Sequence, residues 1–146
     1  MDLNKIKARL ILDEGCKLTV YMDTEGNLTC GIGHEVVPAD NLKEGDMITQ
    51  ARCDQLFAAD LATAIKFCTD SPAISFLGQP ELVQEVLVDL AFNMGPVFAT
   101  FKTFQGLIRA REYSQAADDL KGTLWALQVP NRAIRMEQLL KDPSNV

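Results

Sequence analysis

Hydrophobic residues recur every three to four positions over most of this chain, but at every second position in one short segment near its start. Leu3, Ile6 and Leu10 have helical spacing and predict a short amphipathic helix over residues 3–12. The change to a period of two after this helix predicts strand structure. We therefore expect a small sheet close to the N-terminus of a mainly helical chain.

The segment with a period of two contains two runs separated by a turn. Leu18 and Val20 alternate with other residues in the first run, and Leu28 and Ile32 belong to the second. Residues 23–26 between them read Asp-Thr-Glu-Gly, a sequence typical of a turn. The pattern predicts a β-hairpin of about 17 residues.

Helical spacing returns after a polar stretch and continues to the end of the chain. Thr49 is placed to cap the next helix, and Gly95-Pro96 ends the one after it. That intervening helix is apolar around nearly its whole circumference, as expected at the centre of a bundle. The helical segments predicted after the hairpin are residues 53–68, 82–94, 98–108, 113–120 and 130–140.

Length and composition favour one globular domain over residues 1–146. The chain is 47% hydrophobic and 23% charged, values close to the globular average. We predict an α+β fold in which a hairpin region at about residues 15–47 joins a helical lobe formed by residues 1–14 and 48–146, with a cleft where the two meet. The most apolar run, residues 82–94, contains charged and amide side chains, so no stable membrane insertion is expected.

Charge and cysteine spacing exclude two kinds of partner. The net charge of −6 disfavours nucleic acid, because binding to phosphates needs clustered Lys and Arg. Cys16, Cys30, Cys53 and Cys68 have no zinc-ligand spacing, so we expect no metal. Buried reduced thiols are the default expectation, and a disulfide between Cys16 and Cys30, which flank the hairpin, is the alternative.

Two carboxyls and a hydroxyl are carried by neighbouring predicted elements. Glu14 follows the first helix, Asp23 begins the hairpin turn, and Thr29 lies on the returning strand. Glycoside hydrolysis needs one carboxyl to donate a proton and a second carboxylate that activates water or acts as nucleophile. Each residue alone is also typical of a solvated turn or helix end, so the spacing by itself leaves a purely structural role open.

Longer motifs surround these residues and continue along the chain. They are DEG at 13–15, YMDTEG at 21–26, TCGIGH at 29–34, NMG at 93–95 and PNRAIR at 130–135. In this order, together with Trp125, they closely resemble the phage-type lysozymes, the endolysins of T-even and lambdoid bacteriophages in glycoside hydrolase family 24. The resemblance covers almost the entire chain and is strongest at residues 12–34 and 87–135.

The resemblance implies a catalytic role for each of the three residues. Glu14 would be the general acid, Asp23 the carboxylate that faces the anomeric carbon, and Thr29 a holder of the attacking water. The implied reaction is hydrolysis, with inversion, of the β-1,4 bond between N-acetylmuramic acid and N-acetylglucosamine in bacterial peptidoglycan. The two carboxyls would then lie roughly 6.5–9.5 Å apart, and no cofactor would be needed.

The resemblance also implies supporting residues. Arg132 would lie close to Glu14, although a helix-surface arginine is the simpler alternative. His34, the single histidine, would be structural and ion-paired with an acidic residue, for which Asp70 is one candidate. Asn93 would hydrogen-bond to sugar or cap the buried helix.

Two other side chains of these motifs are expected to be non-catalytic. Trp125 resembles a core aromatic of the family more than a platform for sugar. Glu25, within the turn sequence, is expected to point into solvent rather than act as a second acid.

Two other functions fit the same fold. A lytic transglycosylase would form an anhydro sugar without water, and Asp23 and Thr29 argue against it because that route needs no water-activating pair. A non-catalytic wall-binding or phage structural module would be expected to have lost one of Glu14, Asp23 and Thr29. Many members of the family are strongly basic, whereas this chain is acidic, which disfavours electrostatic capture by the cell wall.

The N-terminal sequence Met-Asp-Leu-Asn-Lys does not read as a secretory signal. We therefore expect synthesis in the host cytoplasm and action in the periplasm or cell wall, after release through a membrane pore formed by a partner protein. A monomer is the default expectation.

Overall fold

The computed structural model describes residues 1–143 and separates into two compact units. The hairpin unit is Asn4–Thr63, and the helical unit is Met1–Leu3 with the chain from Ala64 on. The helices are α1 (Leu3–Glu14), α2 (Gln50–Asp70), α3 (Glu81–Met94), α4 (Lys102–Arg109), α5 (Tyr113–Lys121), α6 (Leu124–Gln128) and α7 (Pro130–Lys141), and the strands are β1 (Lys17–Met22), β2 (Leu28–Gly31) and β3 (His34–Glu35). The predicted α+β fold class is confirmed.

The hairpin unit contains one antiparallel sheet in the order β1-β2-β3. Tyr21 stands opposite Thr29 between β1 and β2, and Cys30 stands opposite His34 between β2 and β3. The hairpin is as predicted, whereas the third strand was not anticipated. It is two residues long, too short for an alternating pattern to reveal it.

Local signals end α1 and begin α2. Gly15 has a φ of 68°, and its N–H donates to the carbonyl of Ile11 at 2.8 Å, which closes the last turn of α1. Thr49 accepts a hydrogen bond from the N–H of Arg52 at 3.0 Å, so the predicted cap of α2 is confirmed. Because α1 ends at this glycine, Glu14 is its last residue.

The helical unit has α3 in its core. Ten of the 14 residues of α3 are buried, among them the charged residues Glu85 and Asp89. Phe98 is fully buried, with ring centroids 5.8 Å from Phe67 and 6.0 Å from Phe104. The predicted central helix is confirmed.

The segment Glu81–Thr100 is long and apolar enough to cross a membrane, with a mean hydropathy of 1.3. The sequence indicates that the apolar run at residues 82–94 is unsuited to membrane insertion, whereas the longer segment meets the length and hydropathy of a membrane span. More than half of it is buried inside the protein. These values are those of a core helix, because an element buried on all sides is apolar on all sides.

Candidate active site

Glu14 lies against a glycine of the sheet. A Cβ atom added to Gly33 would stand 2.7 Å from Oε2 of Glu14 and 2.8 Å from its Cδ, closer than any real side chain allows. Gly33 also has a φ of 61°, which favours glycine. The missing side chain at Gly33 therefore provides the space for the carboxyl of Glu14.

Asp23 is held by the turn that it begins. Its Oδ1 accepts the N–H of Asn27 at 2.7 Å and the N–H of Glu25 at 2.9 Å. These hydrogen bonds, that of Asn27 first, lower the pKa of Asp23 below its ordinary value. The side chain is partly exposed. The turn thus presents an ionised carboxylate in a fixed position at neutral pH.

Thr29 is buried, with 8% of its surface exposed. Its hydroxyl donates to the carbonyl of Asn27 at 3.0 Å. A hydroxyl has one hydrogen to donate and two lone pairs to accept with. Because the hydrogen is already used, the oxygen of Thr29 is set to accept a hydrogen bond from a water or a hydroxyl.

Tyr21 connects these three residues. It pairs with Thr29 across the β1–β2 ladder. Burial raises the pKa of Tyr21, and the negative charges of Asp23 and Glu14 raise it further. Both carboxylates therefore act electrostatically on one phenol, while Nζ of Lys17 lies 4.3 Å from the ring centroid. The three residues that the motifs singled out thus all lie in the hairpin unit.

His34 lies between two carboxylates. Its Nδ1 is 2.7 Å from Oδ2 of Asp60, and its Nε2 is 2.8 Å from Oδ2 of Asp40. The hydrogen bond to Asp60 is the main cause that raises the pKa of His34 to about 9. With both ring nitrogens engaged and the ring charged at neutral pH, His34 is unsuited to act as a base.

The candidate partner proposed for His34 from the sequence, Asp70, is wrong. Asp70 pairs with Lys66 one turn earlier in α2. Asp60 and Asp70 are ten residues apart on this helix, a distance of about 15 Å along its axis. The sequence could not show which acidic residue of α2 reaches His34.

Asp40 forms the other side of this cluster. Burial alone would raise the pKa of Asp40, but the N–H of Val37 and the charge of His34 lower it below its usual value. Arg52 adds a hydrogen bond from Nη2 to the Asp40 carbonyl at 3.2 Å. The cluster links β3, the short 3₁₀ segment Pro38–Asp40 and α2, and His34 directly follows the glycine against which Glu14 lies.

The remaining motif residues lie in the helical unit. Nε of Arg132 donates to Oδ1 of Asp89 at 2.9 Å, with side chains only 6% and 1% exposed. The alternative of a helix-surface arginine is therefore wrong, and its role toward Glu14 stays a prediction. Nε1 of Trp125 donates to Oδ1 of Asn93 at 2.7 Å.

Trp125 is 7% exposed, which confirms the core assignment. Sugar binding by Asn93 stays a prediction, and its amide oxygen already accepts the indole N–H. Glu25 is exposed, as expected for the turn.

Several residues of these sites were missed from the sequence, among them Asp40 and Asp60, the partners of His34. Asp89 is one of two buried carboxylates of α3, and a buried carboxylate needs a partner, which is a usable signal. Gly33 and Tyr21 stand inside the quoted motifs, but their contacts depend on the fold.

An α+β fold whose hairpin unit carries a glutamate, an ionised aspartate and a threonine has the residue types that a glycoside hydrolase of the lysozyme class needs. Known sequences agree. The chain belongs to the phage lysozyme family, whose sequence model matches residues 12–134. It is therefore a lysozyme-type hydrolase with peptidoglycan as its substrate.

Several relatives support this assignment. The chain is 30% identical to probable T4-type lysozyme 1 of Dictyostelium discoideum, over 95% of both chains. It is 30% identical to probable T4-type lysozyme 2 of the same organism, over 92% of both. A match of 28% to the pre-baseplate central spike protein Gp5 of Enterobacteria phage T4 covers 88% of this chain but only 26% of that protein.

Proposed function

We propose that this protein is a muramidase that hydrolyses the β-1,4 bond between N-acetylmuramic acid and N-acetylglucosamine with inversion at the anomeric carbon. The observation that carries the proposal is that one hairpin unit holds Glu14 against Gly33, Asp23 in its turn and Thr29 opposite Tyr21. Glu14 and Asp23 are both partly exposed, so substrate and water can reach them.

The environment of Asp23 favours the carboxylate role, which leaves the role of proton donor to Glu14. Asp23 accepts two backbone N–H groups, which stabilise its anion, so it suits the carboxylate side of the reaction. Glu14 lies on the Cα of Gly33 without a side chain between them. In the proposed reaction Glu14 donates its proton to the departing glycosidic oxygen.

Thr29 supports the water-activating half of the reaction. Because its hydroxyl donates to the carbonyl of Asn27, it accepts one O–H of the attacking water. Asp23 accepts the proton from the same water as the new C–O bond forms. An inverting enzyme needs room for this water, so the carboxyls are expected to lie roughly 6.5–9.5 Å apart.

The substrate also sets where the protein acts. Peptidoglycan lies outside the cytoplasmic membrane, so a chain made in the host cytoplasm must cross that membrane to reach the periplasm or cell wall. We propose release through a pore formed by a partner membrane protein. A monomer suffices, because the grouped residues all come from one hairpin unit.

The substitution Glu14→Gln tests the catalytic assignment, with Glu25→Gln as the matched control on an exposed glutamate of the same unit. Loss of the proton donor is expected to lower the rate of clearing of purified peptidoglycan by about 100- to 10,000-fold. The control should clear at the rate of the unsubstituted protein. Full activity of Glu14→Gln, with its fold verified by circular dichroism, would refute the assignment.

Analysis of the products separates the reaction types. Mass spectrometry of muropeptides should show reducing ends, and NMR of the first product should show inverted anomeric configuration. Anhydro ends would instead establish a lytic transglycosylase. Binding to peptidoglycan without any cleavage would establish a wall-binding module.

A further inference from the structure

Two thiols lie in contact near the candidate active site. Sγ of Cys16 is 3.3 Å from Sγ of Cys53, and neither cysteine is in a disulfide. Cys16 is exposed, contrary to the expectation that the thiols are buried, and Cys53 is buried. Cys16 lies between α1 and β1, two residues after Glu14, and Cys53 lies in the first turn of α2.

The backbone holds these cysteines together independently of how the thiols are turned. Lys17 directly follows Cys16 in the chain. In the β1–β2 ladder, Lys17 stands opposite Gly31. A Cβ atom at Gly31 would lie 3.9 Å from the backbone Cα of Cys53. The first turn of α2 therefore packs on the end of the hairpin where β1 begins, which is where Cys16 lies.

We propose that Cys16 and Cys53 form a disulfide when the protein meets a small-molecule disulfide or an oxidising compartment, and that this bond protects the hairpin unit against unfolding. The sulfur atoms need to move from 3.3 Å to about 2.05 Å. The proposal goes beyond the proposed function and does not rest on it, because neither bond formation nor thermal unfolding involves peptidoglycan.

The chemistry is a two-step exchange with a disulfide such as oxidised glutathione as the oxidant. The thiolate of Cys16 attacks one glutathione sulfur, forms a mixed disulfide and releases one glutathione thiolate. Cys53 then loses its proton to water or buffer and attacks Sγ of Cys16, which expels the second glutathione. Two protein thiols are oxidised and one glutathione disulfide is reduced to two thiols.

Exposure decides the order of these steps. Burial is the main cause that raises the pKa of Cys53 to about 11, so little of it is thiolate at neutral pH. Cys16 is the thiol that the oxidant can reach. Cys53 then acts as the resolving cysteine, because it is already in contact with the sulfur that it attacks.

Cys30 is the alternative partner, as the sequence suggested. It lies on β2 opposite His34 and is fully buried. The structure gives Cys16 a contact with Cys53 instead. A bond to either partner closes a loop in the unfolded chain, but only a bond to Cys53 ties the hairpin to α2.

The test is oxidation of the full chain with oxidised glutathione, followed by intact-mass measurement and non-reducing peptide mapping. The expected product is lighter by two hydrogen atoms and contains a peptide that links Cys16 to Cys53. Its Tm should exceed that of the reduced protein by about 5–10 °C, because the bond restricts the unfolded chain. Clearing of peptidoglycan at 25 °C should change by less than about twofold, because the reduced protein already holds the two thiols in contact.

Variants make the result specific. Cys16→Ser should gain no internal bond and show no rise in Tm, whereas Cys68→Ala should oxidise like the unsubstituted chain, because Cys68 lies in the helical unit. A stable glutathione adduct on Cys16 without ring closure would overturn the proposal. So would a link from Cys16 to Cys30, or an oxidised protein with an unchanged Tm.

Discussion

The hairpin unit and the helical unit differ in their glycine backbone conformations and in how much of their apolar surface is buried. Among residues 1–143, six glycines have a positive φ, and five of them lie in the hairpin unit. Two of its carboxylates, Asp40 and Asp60, lie against His34. The helical unit instead buries ten of the 14 residues of α3. The difference teaches that glycines with a positive φ are concentrated in the unit where chemistry is proposed, and extensive apolar burial in the other unit.

The strongest test of this comparison is an ion pair inside the apolar unit. Asp89→Ala is expected to lower the free energy of unfolding by roughly 3–5 kcal/mol, because it leaves the charge of Arg132 buried without this carboxylate. The matched control is Asp118→Ala, which removes an exposed pair with Lys141 at 2.9 Å and should cost less than about 1 kcal/mol. Urea denaturation measures both. Equal losses would show that burial does not decide the strength of these pairs.

A glycine of the hairpin unit should affect catalysis as well as stability. Gly33→Ala puts a methyl group where the Glu14 carboxyl lies, so kcat/KM on peptidoglycan is expected to fall on the order of 100-fold as the acid is displaced. Strain at positive φ should also lower stability by about 1–2 kcal/mol.

Gly45→Ala is the control for that substitution. Gly45 has a φ of 90° but nothing within 4 Å of an added Cβ, so it should show the loss of stability without the loss of activity. If Gly33→Ala kept full kcat/KM, the contact with Glu14 would have no catalytic importance.

The charge cluster of the hairpin unit predicts a pH dependence of stability. His34 faces Asp60, Asp40 and, through the latter, Arg52, and its pKa is raised to about 9 in the folded protein from 6.5. A group whose pKa is raised by folding stabilises the folded protein most at pH values below the pKa of the same group in the unfolded chain. This contribution is lost as the pH rises through the pKa of the group in the folded protein.

Between about pH 6.5 and 9 the free energy of unfolding should therefore fall by roughly 3 kcal/mol from this residue. His34→Gln should flatten the dependence within that window, which thermal melts in a series of buffers can measure. A slope that the substitution leaves unchanged would assign the titration to another group.

The smallest expected effect concerns the cap of α2. Thr49→Ala removes the hydrogen bond from the N–H of Arg52 and should lower stability by about 1 kcal/mol. Thr49→Ser retains a hydroxyl and should restore most of it. A loss as large as that of Asp89→Ala would contradict the view that local caps contribute less than buried charge.

Long helices could be predicted because the spacing of hydrophobic residues repeats over several turns of consecutive residues. The segment predicted at 82–94 is observed as Glu81–Met94, and that at 130–140 as Pro130–Lys141. β3 and α6 were missed because they have two and five residues, fewer than a hydrophobic period needs. β3 exists through its pairing with β2 rather than through its own pattern.

The candidate site was predictable in its residues but not in its contacts. Glu14, Asp23 and Thr29 could be named from motifs, because the motifs are defined by residue type and spacing alone. The packing of Glu14 on Gly33 and the joint action of both carboxylates on Tyr21 could not. These contacts depend on how the end of α1 meets the sheet.

By itself, the sequence determined the order of the longer helices and of the two hairpin strands, the family and the three residues proposed for catalysis. Only the tertiary structure decided that His34 pairs with Asp60, that Cys16 meets Cys53, and that Arg132 is buried against Asp89. These partners are 26, 37 and 43 residues apart along the chain. Local sequence patterns describe residues within one or two helical turns of each other. Contacts at larger separations depend on how whole elements pack, and several acidic or thiol side chains of the chain could occupy the same position.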